Sequence, residues 1–195
     1  MLGMLWLLVL AQIQIDRVVA PIRPTRTEAT GLTVFEIQVS RPNQVHTTPR
    51  FGQAPFSTAA LSALLQWRFS LREGAPAGLL SVTFLFRQHQ FRPAVVPSLS
   101  IAPLAGRSNS AAVPAAVVDP GHPMDSRSSG FLILEMKIDA DGNIESTRAL
   151  LDEPHFLNFA QDEIRKWKFR PAREATRNVP GTAIVVISFV DPYSE

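Results

Sequence analysis

Lys166–Ala172 reads KWKFRPA, and Gln66–Arg72 reads QWRFSLR. Each stretch follows a run of apolar residues at helical spacing, and the two tryptophans lie 167 − 67 = 100 positions apart. The agreement extends outward in both directions. Val18-Val19-Ala20-Pro21 is followed at Gly31 by GLTVFEIQV, and Val117-Val118-Asp119-Pro120 is followed at Gly130 by GFLILEMKI. These match at one offset (117 − 18 = 99; 130 − 31 = 99), and the last apolar runs match near 181 − 78 = 103. A spaced pattern of this length marks an internal repeat. The chain divides into residues 1–16, a first copy at 17–90, a Pro/Ala/Ser-rich linker at 91–115 and a second copy at 116–195.

The second copy is the easier to read. Phe131–Ile138 mixes β-branched and large apolar residues with Glu135 and Lys137 on one side, the spacing of a strand with one face buried. Asp139-Ala140-Asp141-Gly142-Asn143 has hairpin-turn chemistry, with Gly142 free to take positive φ. Ile144–Leu151 is the expected return strand. Asp152-Glu153-Pro154 reads as a helix start, and Phe156, Phe159, Ala160, Ile164 and Trp167 as one apolar stripe. Pro171 ends that helix at or before Arg170. Thr182–Val190 is a third, strongly β-branched strand. The first copy repeats the order: strands at Gly31–Val39 and Val45–Phe51, a helix capped by Ser57 or Thr58, and a strand at Leu79–Phe86. The predicted fold class is therefore α+β: two tandem small units, each a three-stranded antiparallel sheet with one packed helix in the order β-β-α-β. Trp67 and Trp167 close their helices as packing residues, with Phe69 and Phe169 re-entering the core; the competing reading is a ligand platform.

Composition removes several functions. The chain has no cysteine, which excludes disulfides, thiolate catalysis and zinc–thiolate sites. The net charge is only +2, and the basic residues form no stripe interleaved with aromatics, so nucleic-acid binding is not indicated. His46, His89, His122 and His155 lack metal-ligand spacing and read as surface or turn residues. A calcium loop starting at Asp139 would place Leu150 at its twelfth position, where a bidentate Glu is needed. The serines Ser126, Ser128 and Ser129 have no nucleophile-elbow glycines. No catalytic constellation, cofactor site or metal site is expected.

Met1–Ala11 is apolar and too short to span a membrane. With small residues at Val9-Leu10-Ala11 it reads as an export or anchor element, cut after Ala11, although positive residues do not precede it. The alternative is a buried N-terminal strand or helix.

The second copy resembles the TonB C-terminal domain family, the periplasmic domains of energy transducers. The residues that carry the resemblance are Val117-Val118, Pro120, Pro123, Gly130, Ile138 through Ile144 with Gly142, Trp167-Lys168-Phe169-Arg170-Pro171-Ala172, Gly181 and Phe189. The first copy keeps Gly31, Trp67-Arg68-Phe69 and Gly78–Phe86. It departs at Ser40–Gln44 and at Ser70-Leu71, as a degenerate copy would. The resemblance implies a non-enzymatic module of the bacterial periplasm, exported or anchored in the inner membrane. Its partner would be an envelope protein or outer-membrane receptor peptide, in TonB-dependent envelope transport. The partner would add as a strand to a sheet edge, which the resemblance places at Ala183, Ile184, Val185, Val186, Ile187, Ser188 and Phe189. Coupling to proton-motive force is not implied, because Met1–Ala11 is too short for the membrane helix of a transducer. The alternative is a structural module whose copies pair with each other, or dimerise, through those same edges.

Overall fold

The computed structural model describes residues 13–24, 29–41, 44–75, 77–153 and 156–193. In chain order the first repeat contributes β1 (Ile13–Arg17), β2 (Gly31–Ser40), β3 (Gln44–Phe51), α1 (Phe56–Leu64), β4 (Arg68–Leu71) and β5 (Ala77–Phe86). The linker and second repeat contribute β6 (Val113–Ala116), β7 (Gly130–Ile138), β8 (Ile144–Glu153), α2 (Leu157–Ile164), β9 (Lys168–Arg170), β10 (Ala172–Glu174), β11 (Arg177–Val179) and β12 (Gly181–Phe189).

The expected pair of small α+β units is corrected. Strands take 46% of the residues and helices 10%, and the long strands form one six-stranded mixed sheet in the order β3-β2-β5-β12-β7-β8. The closing strands of the two repeats lie side by side and parallel, from Thr182 opposite Leu80 to Ser188 opposite Phe86. All other neighbours in the sheet are antiparallel. The physical reason is in the strands themselves. GLLSVTFLF and AIVVISF carry no charge and no proline, so each would be an unprotected edge in an isolated three-stranded sheet. Pairing them removes both edges. Strands buried on two faces then read as near-continuous apolar runs, which is how β2, β5, β7 and β12 are buried.

Parallel pairing of equivalent strands also fixes the layers. A two-fold axis relating two adjacent parallel strands must run along them, so it exchanges the two faces of the sheet. Accordingly α1 and α2 cover opposite faces. Ala60, Leu64 and Trp67 pack with Phe35, Ile37, Val39, Val82 and Phe84. Ala160, Ile164 and Trp167 pack with Leu132, Leu134, Met136, Val185 and Ile187. Along β12 the alternation is explicit: Ala183, Val185 and Ile187 belong to the second core, Ile184 and Val186 to the first.

The repeated Trp-basic-Phe stretch is a clamp. After each helix the chain turns into a short strand, β4 or β9, which pairs with the strand heading its own repeat, β1 or β6. Both pairings carry a register shift at the same place, Ile15/Arg17 and Pro114/Ala116. The buried indoles donate to equivalent carbonyls, Trp67 Nε1 to Val19 O at 2.8 Å and Trp167 Nε1 to Val118 O at 2.9 Å. The Val-Val-x-Pro stretch and the tryptophan thus recur together because one holds the other. Phe69 and Phe169 are buried, and Arg68 and Lys168 between them face solvent. In the second repeat the hairpin turn is tied to the same stretch: Phe169 N–H donates to Gly142 O at 3.1 Å, Gly142 sits at φ +85°, and a Cβ there would collide with the Phe169 carbonyl.

Several boundaries differ from expectation. Strand β8 runs on to Glu153, so Asp152-Glu153 does not begin the helix; Asp152 instead reaches forward to accept the N–H of Leu157 at 3.0 Å. Neither Ser57 nor Thr58 caps α1, which starts behind Pro55 without a side-chain cap. Phe159 stands 39% exposed, outside the buried stripe. The linker is not a free spacer. Ile101, Ala111, Ala112 and Val113 are buried, and Ser81 Oγ donates to Ala112 O at 2.5 Å. It covers the face of the first repeat that α1 does not.

Candidate partner-binding edge

Ala183–Phe189 is not a docking edge. Each of its residues is paired with β7 on one side, and Ala183–Ser188 also with β5 on the other. The edges of the sheet are β3 and β8. Gly130 opens β7 opposite Phe189, Gly142 makes its hairpin turn, and Pro171 separates β9 from β10. With Trp167 and Phe169 these residues build the scaffold; Trp67 and Phe69 do so too, and also line the concavity beside β3.

The two edges differ in chemistry. Strand β8 is interrupted by register shifts near both ends, at Lys137/Ile138 and Ile133/Leu134, and carries exposed Glu145 and Arg148 between them. Bulges and charges protect an edge against pairing. Strand β3 confines such devices to its last residues, with Pro49, Arg50 and a register shift at Val34/Phe35; from Gln44 to Thr48 it runs in unbroken register with no acidic residue and no lysine or arginine. Beside it lies a concavity of about 630 Å³, lined by Val45, Thr47, Leu64, Leu65, Trp67 and Phe69, with Asp16 and Arg68 at the rim. Three large apolar side chains at this edge or on the adjoining helix are exposed: Leu61 at 37%, Leu65 at 69% and Val45 at 45%. At the equivalent helix positions the second repeat has Gln161 and Arg165 (161 − 61 = 100; 165 − 65 = 100). Among the described residues, the exposed leucine pair thus stands beside a free edge in the repeat that the sequence marks as degenerate, and its counterparts in the other repeat are polar. The signal for the groove was the unshielded pair Leu61 and Leu65 on a helix whose core stripe was already complete.

Charged groups are engaged structurally. Glu36 and Glu135 occupy equivalent positions, each on the face opposite its own helix. Glu36 accepts from Arg50 at 2.9 Å, Arg107 at 3.1 Å and the Ala111 N–H at 3.1 Å. Glu135 accepts from Lys137 at 2.8 Å and Arg148 at 2.5 Å. Burial pushes the Glu135 carboxyl up, but the hydrogen bonds and charges of Lys137 and Arg148 outweigh it and hold the group below its ordinary value of 4.5. A carboxyl depressed by folding contributes stability above its unfolded pKa and loses it as pH falls through the folded one. Chemical unfolding of Glu135→Gln and the parent should therefore differ at pH 7 and converge as the pH drops below about 4.5; a difference that persists unchanged at lower pH would refute this assignment.

Arg87 and Asp119 form an ion pair with both side chains fully buried. His122, expected at the surface, is 1% exposed, packed by Phe91, Phe156 and Phe189, with its ring nitrogens 3.0 Å from Pro123 O and Ser128 O. His46 and His89 are exposed, and His155 lies outside the described residues. Asp139 is a turn residue: its carboxylate accepts the N–H groups of Asn143 at 2.8 Å and Asp141 at 2.9 Å, and these bonds, that from Asn143 foremost, hold its pKa below the usual value. Among the described residues no group of three or more His, Asp or Glu side chains could hold a metal ion. A second concavity, of about 640 Å³, opens at the end of the sheet beside Ile13, Leu80, Arg107, Lys137 and Arg173, but Arg107 and Lys137 are already bonded to the two glutamates. Comparison with protein-family models, curated proteins and solved structures finds no match for this chain.

Proposed function

We propose that this chain is a non-enzymatic protein-interaction module of the bacterial envelope, which captures an extended partner segment on the edge of β3. The observation that carries the reading is the groove between β3 and the end of α1, where the apolar side chains of Val45 and Leu65 stand exposed beside a free strand edge. Main-chain hydrogen bonds along Gln44–Thr48 would supply affinity, and an apolar side chain of the partner seated against Val45 and Leu65 would supply selectivity. The resemblance of the second repeat to TonB C-terminal domains supports the class of function and the compartment. The edge that the resemblance favoured is occupied, so the proposed site moves to the other repeat.

The test is a photo-crosslinking residue at Val45, in cells, with and without Leu65→Glu. Leu65 is 69% exposed, so the substitution should leave stability within about 0.5 kcal/mol. Capture of another envelope protein through one segment, lost in the Leu65→Glu chain, is the expected result. Absence of any crosslink, or capture that Leu65→Glu leaves unchanged, would sink the reading. Capture of a second copy of this chain would replace it with a dimer formed edge to edge.

A further inference from the structure

The first repeat carries a charge feature that the second lacks. Where β1 pairs with β4, Arg17 and Arg68 are direct partners. At the same point of the second repeat, β6 and β9 pair Ala116 with Lys168. The positions are equivalent: each pair follows the register shift of its ladder, and they lie 116 − 17 = 99 and 168 − 68 = 100 residues apart, the offsets of the repeat itself. Cβ atoms of directly opposed residues stand about 5 Å apart, and like charges there are destabilising. Lys168 escapes this by facing an alanine. Arg17 and Arg68 do not.

Neither arginine is neutralised among the described residues. Both are exposed. Arg68 donates only to the carbonyl of its own neighbour, Trp67 O, at 3.1 Å, and the Arg17 guanidinium has neither a hydrogen bond nor an ion pair. Asp16 does not compensate them. It has no partner in the ladder, where the register shifts between Ile15 and Arg17, and its Oδ1 accepts from Ser70 Oγ at 3.0 Å.

These charges stand at the groove beside β3. Arg68 and Asp16 line it together with Val45, Leu65 and Trp67, and Arg17 faces Arg68 across the ladder. Strand β3 is uncharged from Gln44 to Thr48. Counting the lining residues and Arg17, the groove has one positive charge in excess (2 − 1 = 1). An occupant that brings a carboxylate matches it; one that brings a lysine or arginine is repelled.

We propose that the segment captured on β3 is acidic, with an apolar side chain seated on Val45 and Leu65 and an Asp or Glu side chain bridging Arg68 and Arg17. The carboxylate oxygens accept from both guanidinium groups, so the partner relieves the repulsion that folding leaves in the β1–β4 ladder. The second repeat, with Ala116 for Arg17 and Arg165 for Leu65, offers neither the arginine pair nor the exposed leucine. This inference rests on the reading of β3 as a docking edge and adds the chemistry of its occupant.

The test uses the full chain and a phage-displayed library of random peptides held between fixed flanks, so that the only carboxylates offered are side chains. Selection should enrich sequences with an Asp or Glu near an apolar residue. A synthetic peptide of the enriched sequence should bind the parent chain at least about fivefold more tightly than it binds Arg17→Gln/Arg68→Gln. Its acid-to-amide form should lose at least about fivefold on the parent and bind both chains alike, and the parent's preference should shrink as salt is raised. Enrichment without acidic residues, or acidic binders indifferent to Arg17→Gln/Arg68→Gln, overturns the proposal. Leu65→Gln, which removes the apolar contact without adding a charge, separates the two readings. Loss of those binders in Leu65→Gln keeps β3 as the docking edge with an occupant of other chemistry; binders that survive it, or no binder at all, overturn both.

Discussion

Asp119→Ala should lower stability by about 3–5 kcal/mol, the usual effect of stranding one member of a buried ion pair. Asp119 does more than neutralise Arg87. Its Oδ1 accepts the guanidinium Nε and the Gly121 N–H, and its Oδ2 accepts the Ala94 N–H at 2.8 Å. It therefore ties the start of the linker and the entry to the second repeat to the end of β5. Arg87 also donates to Gln90 O and lies 5.3 Å from the centre of the Phe189 ring, while its Nη1 has no hydrogen-bond partner among the described residues. Burial lowers the pKa of Arg87 and the charge of Asp119 opposes that shift, so removing the carboxylate leaves a cation with little to offset its desolvation. For a chain of this size the loss corresponds to a fall in Tm of about 6–20 °C. Arg87→Met combined with Asp119→Ala should recover part of it, because no charge is left stranded. Urea unfolding of the three variants measures this. A loss below about 1 kcal/mol for Asp119→Ala would show that the pair is solvated in solution.

Trp167→Ala should cost a similar amount, about 3–5 kcal/mol, through the cavity left between α2 and the sheet. Trp167→Phe separates the two roles of the side chain. It keeps most of the packing and loses the bond to Val118 O, so about 1–3 kcal/mol should remain as the cost of the unpaired carbonyl. The same pair of substitutions at Trp67, bonded to Val19, should give the same ordering. Were Trp167→Phe as damaging as alanine, the clamp would be chiefly the hydrogen bond. Were it silent, the clamp would be packing alone.

The repeat, the six long strands and the two helices were legible because each rests on local spacing: alternation, a Gly turn, an apolar stripe. Pro171 was read as the helix stop, but α2 ends at Ile164 and Pro171 separates β9 from β10. What was not legible depends on pairing between residues about a hundred positions apart. AIVVISF reads the same whether its second neighbour is a partner peptide or GLLSVTFLF, since both would satisfy the same backbone groups. The short strands β4 and β9 were hidden in the Trp-basic-Phe stretch, because three or four residues carry no period of their own. The burial of His122 could not be read from its turn-like neighbours Pro120, Gly121 and Pro123. The groove was half visible: Leu61 and Leu65 stand in the sequence, but only the sheet order shows that β3 beside them is an edge.

The parallel seam between β5 and β12 has a consequence for how the protein is made. Thr182 follows its partner Leu80 by 182 − 80 = 102 residues. At about 5–20 residues per second, the first repeat waits about 5–20 s on the ribosome before its seam partner has been synthesised. Through that interval AGLLSVTFLF is a bare, uncharged ribbon able to zip onto the same segment of a neighbouring nascent chain. Here a newborn chain must be shielded, or kept dilute, until its second half arrives.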